Sequence, residues 1–538
     1  MQRRDVLRLL AVSPFAAAAH GAGLFPVPNG AAQGVKPDIE LDLTAAPGST
    51  QLRLGAPTKL WHYTGRVVSG PAGALQTMPG SYLGPVVRVT RGQHVRVRFR
   101  NQLPEPSIVH WHGLDLPERA DGHPRLAVDA GGEYVYDFEV VNRAGTNWYH
   151  PHPHMRTAWQ AYHGLAGLFL VSDPEEEALR LPSGDGELLF VLQDRRFDAA
   201  NQLVYAGGDA AMQSGMGRGR GMGMGRGGMP QMMETMNGWL GDQMLVSGRV
   251  QPAIDVDRRS YRVRILNGSN ARMYKLALSN GAPFVVIGGD GGLLTQPRQM
   301  RFLTMAPGQR ADVIVDLSQQ ASGSTVQLQS VSFPSTDVGR AGMMGETSPV
   351  PQGAPLTLAT LRVSNRQGPR YAVPAHLSAD TFRPDPAAPV RRVPLTFMQM
   401  HWFIDGRTFD MLEATTAETV AAGSTHVWEF INQPNPMGMQ LAHPIHMHGR
   451  QFRVLSRSGG STNALREGIH DQGWTDTVLV LPGETVRVQV TFSAFPGLYL
   501  YHCHILEHED MGMMRNFRIR SGNRAGAPPW LSLATPLR

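Results

Sequence analysis

The chain has 538 residues, more than a single hydrophobic core normally supports, so several domains are expected. Charged residues make up only 17% of it, and the net charge of +6 comes from scattered basic residues, so we expect no nucleic-acid partner. The 60 glycines and 40 prolines favour short strands and many turns over long helices. The single cysteine excludes an intramolecular disulfide.

The first residues have the pattern of a targeting segment. Arg3 and Arg4 precede an apolar stretch from residue 9 to residue 19, and small residues follow. This is typical of a twin-arginine (Tat) signal, which is read by an exporter of folded proteins, and the alternative is an ordinary secretory signal. We assign residues 1–34 to the signal and expect a periplasmic protein. No later segment has about 18 uninterrupted apolar residues, so no membrane insertion is expected.

Three related phrases divide the rest of the chain. They read VTRGQHVRVRFRN at 89–101, VDRRSYRVRILN at 256–267 and VAAGSTHVWEFIN at 420–432. Each is a turn, a run of alternating apolar and polar residues typical of a half-buried strand, and a final Asn. Three copies at similar intervals predict three similar β-sandwich domains. The predicted domains span residues 35–174, 186–365 and 394–523, with a linker rich in Pro and Arg at 366–393.

Four His-x-His pairs stand out, two in the first predicted domain and two in the third, and His154 extends the second pair by one more step. Residues two apart on a strand point to the same face, so each pair can present two imidazoles to one group of metal ions. The phrase HWHG at 110–113 mirrors HMHG at 446–449, and the second domain has no counterpart. Eight imidazoles are enough for three metal ions between the first and third domains, with positions open for a small molecule. The pairs are His110 and His112, His150 and His152, His446 and His448, and His502 and His504.

Cys503 lies inside the last of these pairs. On a strand, its side chain faces away from the two flanking histidines. A lone cysteine can be a buried hydrophobe, but thiolate, imidazole and thioether together suit copper. Beside the thiolate, a blue-copper site needs two imidazoles and a weak axial ligand, which His443, His508 and Met513 can supply. We therefore predict that copper at Cys503 takes electrons from outside, and that the adjacent histidines pass them to the cluster.

These motifs resemble those of the multicopper oxidases, a family of blue-copper enzymes, over essentially the whole mature chain. The resemblance implies an all-β fold of three consecutive cupredoxin-like Greek-key β-sandwich domains. It implies an enzyme that reduces dioxygen to water with four electrons delivered one at a time. It also implies four copper ions, one of type 1, one of type 2 and two of type 3. The implied ligands are His443, Cys503, His508 and Met513 for type 1, His110 and His446 for type 2, and two type 3 sets, His112, His150 and His504, and His152, His448 and His502.

Dioxygen reduction consumes protons, so carboxyl groups near the cluster are expected. Asp121 and Glu509 match acidic positions that resembling enzymes use for proton delivery. The alternative for each is a solvated or structural acid.

The expected electron donor is Cu(I). The phrase HCHILEHEDMGMM at 502–514 looks most like the copper-efflux oxidases, which oxidise Cu(I) to the less toxic Cu(II). Residues 212–236, a predicted insertion in the second domain, hold eight methionines among Gly and Arg. This tract is either a low-complexity linker or a collector of Cu(I), for which thioethers are suited. Two features depart from that group: the position of the tract, and Met439 and Leu441 where well-known members carry Asp and Met.

Three alternatives remain open. Laccase-like oxidation of phenols or aromatic amines uses the same coppers. Some relatives have lost copper and act as structural proteins, but all twelve ligand positions are filled here. A copper-storage protein would take up no oxygen when Cu(I) is added. We expect the protein to be a monomer.

Overall fold

The computed structural model describes residues 35–205, 234–340, 348–398, 401–433, 440–460 and 463–521. The predicted signal, residues 212–233 of the methionine tract, and Met439 lie outside the described residues. Among the helices in these ranges, none is long and apolar enough to cross a membrane.

The first structural unit consists of two sheets that share one hydrophobic core. The helices α1 (Glu118–Asp121), α2 (Thr157–Tyr162) and α3 (Pro174–Ala178) lie between or after its strands. The strands are β1 (Ile39–Thr50), β2 (Thr58–Ser69), β3 (Leu75–Gln76), β4 (Val86–Thr90), β5 (His94–Asn101), β6 (Val109–His112), β7 (Glu133–Glu139), β8 (Gly145–Pro151) and β9 (Gly167–Ser172). The sheet orders are β2-β1-β5-β7 and β3-β4-β9-β8-β6.

The second unit repeats this arrangement around its own core. Its strands are β10 (Glu187–Arg195), β11 (Gln243–Val246), β12 (Arg249–Val250), β13 (Ala253–Arg258), β14 (Ser260–Asn267), β15 (Tyr274–Leu278), β16 (Phe284–Gly289), β17 (Gly292–Met300), β18 (Leu303–Met305), β19 (Arg310–Asp316), β20 (Thr325–Ser330), β21 (Gly339–Arg340) and β22 (Leu356–Gln367). The main sheets have the orders β12-β11-β10-β14-β19-β16-β17 and β13-β22-β20-β15-β18.

The third unit holds the last strands and α4 (Leu506–Asp510). Its strands are β23 (Val390–Met398), β24 (His401–Ile404), β25 (Thr419–Ala421), β26 (Thr425–Asn432), β27 (Gln440–Leu441), β28 (His443–Met447), β29 (Phe452–Gly459), β30 (Thr477–Val480), β31 (Glu484–Thr491), β32 (Gly497–Cys503) and β33 (Met514–Arg520). The sheets have the orders β24-β23-β26-β31-β29 and β25-β33-β32-β28-β30, and β27 pairs with β21 of the second unit. The described chain is thus mostly strand, which confirms the all-β prediction.

The repeated phrases occupy equivalent places in the three units. Their strands β5, β14 and β26 each pair in parallel with the first strand of the unit, β1, β10 or β23. The terminal residues Asn101, Asn267 and Asn432 donate side-chain hydrogen bonds to backbone carbonyls at 2.7–3.2 Å, three from Asn101 and two from each of the others. The final Asn of each phrase therefore ties the end of its strand to later segments of the same unit.

One strand differs from the half-buried pattern that its sequence predicts. Every residue of β14 is buried, including Arg262 and Arg264. Both guanidinium groups donate to Asp312, at 2.6 and 3.0 Å, and Arg264 also donates to Thr146 of the first unit at 2.9 Å. The first unit covers the polar face of this strand. The buried arginine charges are tolerated there because carboxylates compensate them.

Candidate metal centre

Three potential metal ligands meet in the third unit. His443 begins β28, Cys503 ends β32 and His508 lies in α4. The Cys503 Sγ lies 3.5 Å from Nδ1 of His443 and 3.6 Å from Nδ1 of His508. All three side chains are fully buried. One thiol and two imidazoles in contact form the donor set that binds copper in blue-copper sites.

The loop between Cys503 and Met513 is held by its own backbone. The Cys503 N–H donates to the Met513 carbonyl at 3.0 Å, and the Met513 N–H donates to the His508 carbonyl at 2.9 Å. Met513 is fully buried in the same hydrophobic cluster as Cys503. These bonds keep the thiol, the imidazole and the thioether on one compact loop.

The outer edge of His508 is covered by residues distant in sequence. Its Nε2 lies 2.9 Å from the backbone carbonyl of Met236, which also accepts from Nε1 of Trp402 at 3.1 Å. The Trp402 ring stacks on the imidazole, with centroids 4.8 Å apart. Assigning the Nε2 proton to the bond with Met236 leaves the Nδ1 lone pair of His508 directed at Cys503. Sequence spacing had not indicated either contact.

The four His-x-His pairs converge where the first and third units meet. His110 lies opposite His150 in the β6–β8 ladder, and His446 lies opposite His502 in the β28–β32 ladder. All eight imidazoles are at most 1% exposed. The second histidine of each pair lies at the end of its strand or just beyond it: His112, His152, His448 and His504.

The eight imidazoles form three groups of three, two of which share His112. Within each group, the possible ligand nitrogens all lie within 4.8 Å of one another. The two type 3 sets implied by the family resemblance are both present as groups, and the implied type 2 pair lies in the remaining one. The groups are His112, His150 and His504; His152, His448 and His502; and His110, His112 and His446.

Facing imidazole nitrogens show that this geometry fits a cation. The Nδ1 atoms of His110, His446 and His502 lie 2.6, 2.9 and 3.0 Å from backbone carbonyls, which can only accept, so Nδ1 carries the proton in each. The Nε2 lone pairs of His110 and His446 then face each other at 3.3 Å, and those of His448 and His502 at 3.1 Å. Lone pairs at this distance repel each other unless a cation lies between them.

Burial also sets the protonation of the ligands. It lowers the pKa of His112 well below its ordinary value, and it lowers the pKa of His150 and of His508 to about 3. Neutral imidazole is the form that binds metal ions. Burial raises the pKa of the Cys503 thiol, so a metal ion must displace a proton to bind there.

The two acids singled out in the sequence contact the cluster. The Asp121 Oδ2 accepts from Nδ1 of His448 at 2.8 Å. Glu509 lies 3.4 Å from Nε2 of His152 and 3.3 Å from Nδ1 of His502. Burial, followed by neighbouring carboxyl groups, raises the pKa of Asp121 and of Glu509 well above the ordinary range. Both acids can therefore hold a proton beside the imidazoles.

A third acid was missed by the sequence reasoning. Asp476 Oδ1 accepts from Nε2 of His112 at 2.9 Å, which leaves the Nδ1 of that imidazole for a metal ion. Arg310 of the second unit donates to both oxygens of Asp476, at 2.7 and 2.5 Å. Although burial alone would raise the pKa of Asp476, the Arg310 guanidinium holds it below the ordinary range. All three units thus meet at one carboxylate, which no motif in a single sequence marks.

Comparisons with known proteins agree with this geometry. Models of the multicopper oxidase family match residues 63–176, 217–329 and 383–523. A laccase from Bacillus stratosphericus is 30% identical over 505 residues, which cover 85% of this chain and 90% of the relative.

Solved structures give the same result. The McoA multicopper oxidase from the hyperthermophile Aquifex aeolicus is 32% identical, with a TM-score of 0.72 over 90% of this chain and 97% of that chain. A multicopper oxidase from Campylobacter jejuni, described as a metallo-oxidase, is 25% identical, with a TM-score of 0.69 over 89% of this chain and 91% of that chain. The three β-sandwiches, the copper-type donor sets and these similarities lead to one conclusion: the chain belongs to the multicopper oxidase family, oxidoreductases built from cupredoxin-like domains.

Proposed function

We propose that this multicopper oxidase oxidises Cu(I) to Cu(II) and uses the electrons to reduce dioxygen to water, as part of copper tolerance. The Campylobacter jejuni relative described as a metallo-oxidase supports a metal ion as donor. The protein would act as a monomer in the periplasm after export through the Tat route. Cell fractionation with and without replacement of Arg3 and Arg4 by Lys tests that location.

The contact between Met236 and His508 carries the proposal. Met236 is the last of the eight methionines of the tract, and it is fully buried beside the thiol-containing site. Its carbonyl covers the outer nitrogen of His508 at 2.9 Å. The C-terminal end of the methionine tract is therefore anchored on an imidazole next to Cys503. The contact itself is made by the backbone, and it brings the end of a tract of thioether donors, which are suited to Cu(I), next to the type 1 site.

We assign the protein's resident coppers to the donor sets described above. Bound copper supplies one-electron chemistry at Cys503 and binds dioxygen at the cluster. The chain contributes the connection between them, because Cys503 lies on the same strand as His502 and one residue before His504. The proposed ligands are His443, Cys503, His508 and Met513 for one type 1 ion, His110 and His446 for one type 2 ion, and His112, His150, His504, His152, His448 and His502 for two type 3 ions.

Asp121 and Glu509 are the proposed proton donors. Each lies within 3.4 Å of a cluster imidazole and is fully buried. Reduction of dioxygen to water consumes one proton for each electron, so acids that keep their protons at neutral pH are needed nearby. Burial gives both carboxyl groups that property.

Laccase-like oxidation of phenols or aromatic amines is the alternative. The Bacillus stratosphericus relative is a laccase, and its likeness extends over most of both chains. Against this reading, Met236 and Trp402 cover the His508 edge on which a bulky aromatic donor would have to dock. The closed edge favours a metal ion over an aromatic ring as the donor.

The test compares Cu(I) and a phenol as electron donors, in a variant that has the same chain length as the parent. Serine would replace the seven methionines that precede Met236 in the tract, which leaves the His508 contact in place. We expect oxygen uptake with Cu(I) to fall strongly and oxygen uptake with a phenol to be retained. Unchanged uptake with Cu(I) would contradict a role for the tract. Loss of uptake with both donors, together with loss of copper, would indicate a folding defect, which absorption at the thiolate-to-copper band detects.

A further inference from the structure

His504 differs from the other seven cluster imidazoles in how its ring is held. Each of the others has a ring nitrogen 2.6–3.4 Å from an oxygen or nitrogen atom of another residue. Both ring nitrogens of His504 are buried and have no hydrogen-bond partner on any other described residue. A hydrogen bond from the second nitrogen normally fixes the ring direction of a metal-binding histidine. The direction of the His504 ring must therefore be set by packing.

Gly308 of the second unit lies against the face of this ring. A Cβ added to Gly308 would lie 2.9 Å from Cδ2, 3.0 Å from Cγ and 3.1 Å from Nε2 of His504. These nearly equal distances place the added atom above the ring face, since an atom in the ring plane beside Cδ2 would lie clearly farther from Cγ and Nε2. Carbon atoms pack at about 3.5–4.0 Å, so only a residue without a side chain leaves the ring in this position.

The loop that carries Gly308 is fixed on both sides. The Gly308 N–H donates to the Asn267 carbonyl at 2.9 Å, and its carbonyl accepts from Nη1 of Arg310 at 3.0 Å. The next residue, Gln309, donates from Nε2 to the Thr477 carbonyl of the third unit at 3.0 Å. The glycine therefore cannot move away from the imidazole unless these bonds break.

We propose that Gly308 is a positioning residue of the oxygen-reducing site, which fixes the direction of the His504 ring in place of a hydrogen bond. It thereby sets the affinity for the ion assigned to His112, His150 and His504. No histidine occurs from residue 164 to residue 375, so the second unit contributes no imidazole to the cluster but orients one. The inference rests on the proposed assignment of copper to this group of imidazoles.

Gly308→Ala, loaded with copper, provides the test. The added methyl group should turn the His504 ring, and the copper content should fall by one ion per chain. Two neighbouring Cu(II) ions couple their spins and give no EPR signal, so the type 3 ion that has lost its neighbour should add a new signal. The thiolate-to-copper absorption at Cys503 should remain, because that side chain belongs to the other site. An unchanged copper content and EPR spectrum would overturn the proposal.

Gly323→Ala is the matched control in the same unit. Gly308 has φ of 86° and Gly323 has φ of 78°, but no atom lies within 4 Å of a Cβ added to Gly323. Both substitutions impose the same kind of backbone strain, and only one of them meets an imidazole. We expect the control to keep the full copper content. Equal loss of copper from both variants would show that strain in the second unit is the cause, which contradicts the proposal.

Gln309→Ala tests the same contact without adding atoms, and it serves if Gly308→Ala does not fold. It removes the bond to the Thr477 carbonyl, so the loop can move away from the His504 ring. We expect a chelator to remove one ion faster than in the parent, with the absorption at Cys503 unchanged. Equal rates of removal would show that the loop does not hold the ring. A parent that lacks the full set of copper ions would instead contradict the copper assignment itself.

Discussion

The backbone carbonyl of Met236 accepts a hydrogen bond from Nε2 of His508 at 2.9 Å. This bond fixes the imidazole so that its other nitrogen faces Cys503 at 3.6 Å. It also closes the edge of His508 to solvent. One contact thus both orients a metal ligand and restricts the donors that can reach it.

Gly238→Ala should displace this contact. Gly238 has φ of 91°, and an added Cβ would lie 2.4 Å from Cβ of Ala271 and 3.0 Å from Cγ2 of Ile505. We expect a loss of about 1–2 kcal/mol of stability from the backbone conformation alone. Shifting the segment should expose His508, so oxidation of a phenol should rise while oxidation of Cu(I) falls.

The control for this substitution is Gly281→Ala. Gly281 has φ of 73° and no atom within 4 Å of an added Cβ, so it carries the same backbone strain without the collision. Steady-state oxygen uptake with the two donors measures the effect. A ratio of phenol to Cu(I) oxidation that is the same in both variants would contradict the shielding role of Met236.

Cys503→Ser should abolish oxidation of Cu(I). The hydroxyl is a poor ligand for copper, so the type 1 ion and its intense thiolate-to-copper absorption should be lost. The eight cluster imidazoles are untouched, so the copper content should fall by one ion per chain and the EPR signal of the type 2 ion should remain. Normal turnover of Cu(I) in this variant would disprove electron transfer through Cys503.

Arg310→Leu should release copper from the cluster. The substitution leaves the buried Asp476 carboxylate uncompensated, which costs roughly 3–5 kcal/mol when one partner of a buried pair is removed. Asp476 orients His112 at 2.9 Å, so that imidazole should lose its fixed Nδ1 direction. Arg262→Leu is the control, because Arg262 is also buried but pairs with Asp312, at 2.6 Å, and not with the carboxylate that contacts His112. Copper content and the type 2 EPR signal should change only in Arg310→Leu.

Glu509→Gln should slow oxygen reduction and alter its pH dependence. The raised pKa of Glu509 means that the carboxyl keeps its proton at a pH where an ordinary Glu has lost it. If transfer of this proton limits oxygen uptake, the activity of the parent falls as the pH rises through the raised pKa of Glu509. Glutamine cannot donate the proton, so the variant should lose most of the activity and should no longer show that fall with pH. Oxygen uptake measured across pH detects both changes. A variant with the rate and profile of the parent would show that Glu509 is not a proton donor.

The sequence was sufficient to predict the β-sandwich units. Each phrase alternates apolar and polar residues with the two-residue period of a strand, and a similar phrase recurs in every unit. The His-x-His pairs also predicted a cluster between the first and third units, since a strand places alternate side chains on one face. The same reasoning identified Cys503 as lying between two sites. In each case the information is local, within a few residues of the motif.

Contacts made across long stretches of chain could not be predicted. Arg310, Asp476 and His112 belong to three different units, and no spacing relates them. The same is true of Met236, whose contact with His508 joins residues 272 positions apart. The burial of Arg262 could not be predicted for a related reason. A polar residue in an alternating strand normally indicates a face exposed to solvent, and the carboxylate that compensates Arg262 is brought to it only by tertiary packing.

The copper-free protein should lose stability as the pH falls. Histidine has an ordinary pKa of 6.5, and burial lowers it well below that value at His110 and at His112. Below about pH 6.5 the unfolded chain therefore binds protons that the folded chain does not, which costs about 1.4 kcal/mol per pH unit for each such histidine. The raised pKa of Asp121 and of Glu509 acts in the opposite direction, but the buried histidines outnumber these acids.

Thermal unfolding of the copper-free protein between about pH 7 and pH 5 measures this dependence. The melting temperature should fall with pH in the parent and fall less steeply when His110 and His112 are both replaced by Gln. His401→Gln, at an exposed position, should keep the slope of the parent. Equal slopes in the parent and the double variant would show that these imidazoles do not stay neutral in the folded protein. Bound copper should reduce the slope down to the pH at which protons displace it, because the ion and the proton compete for the same nitrogens.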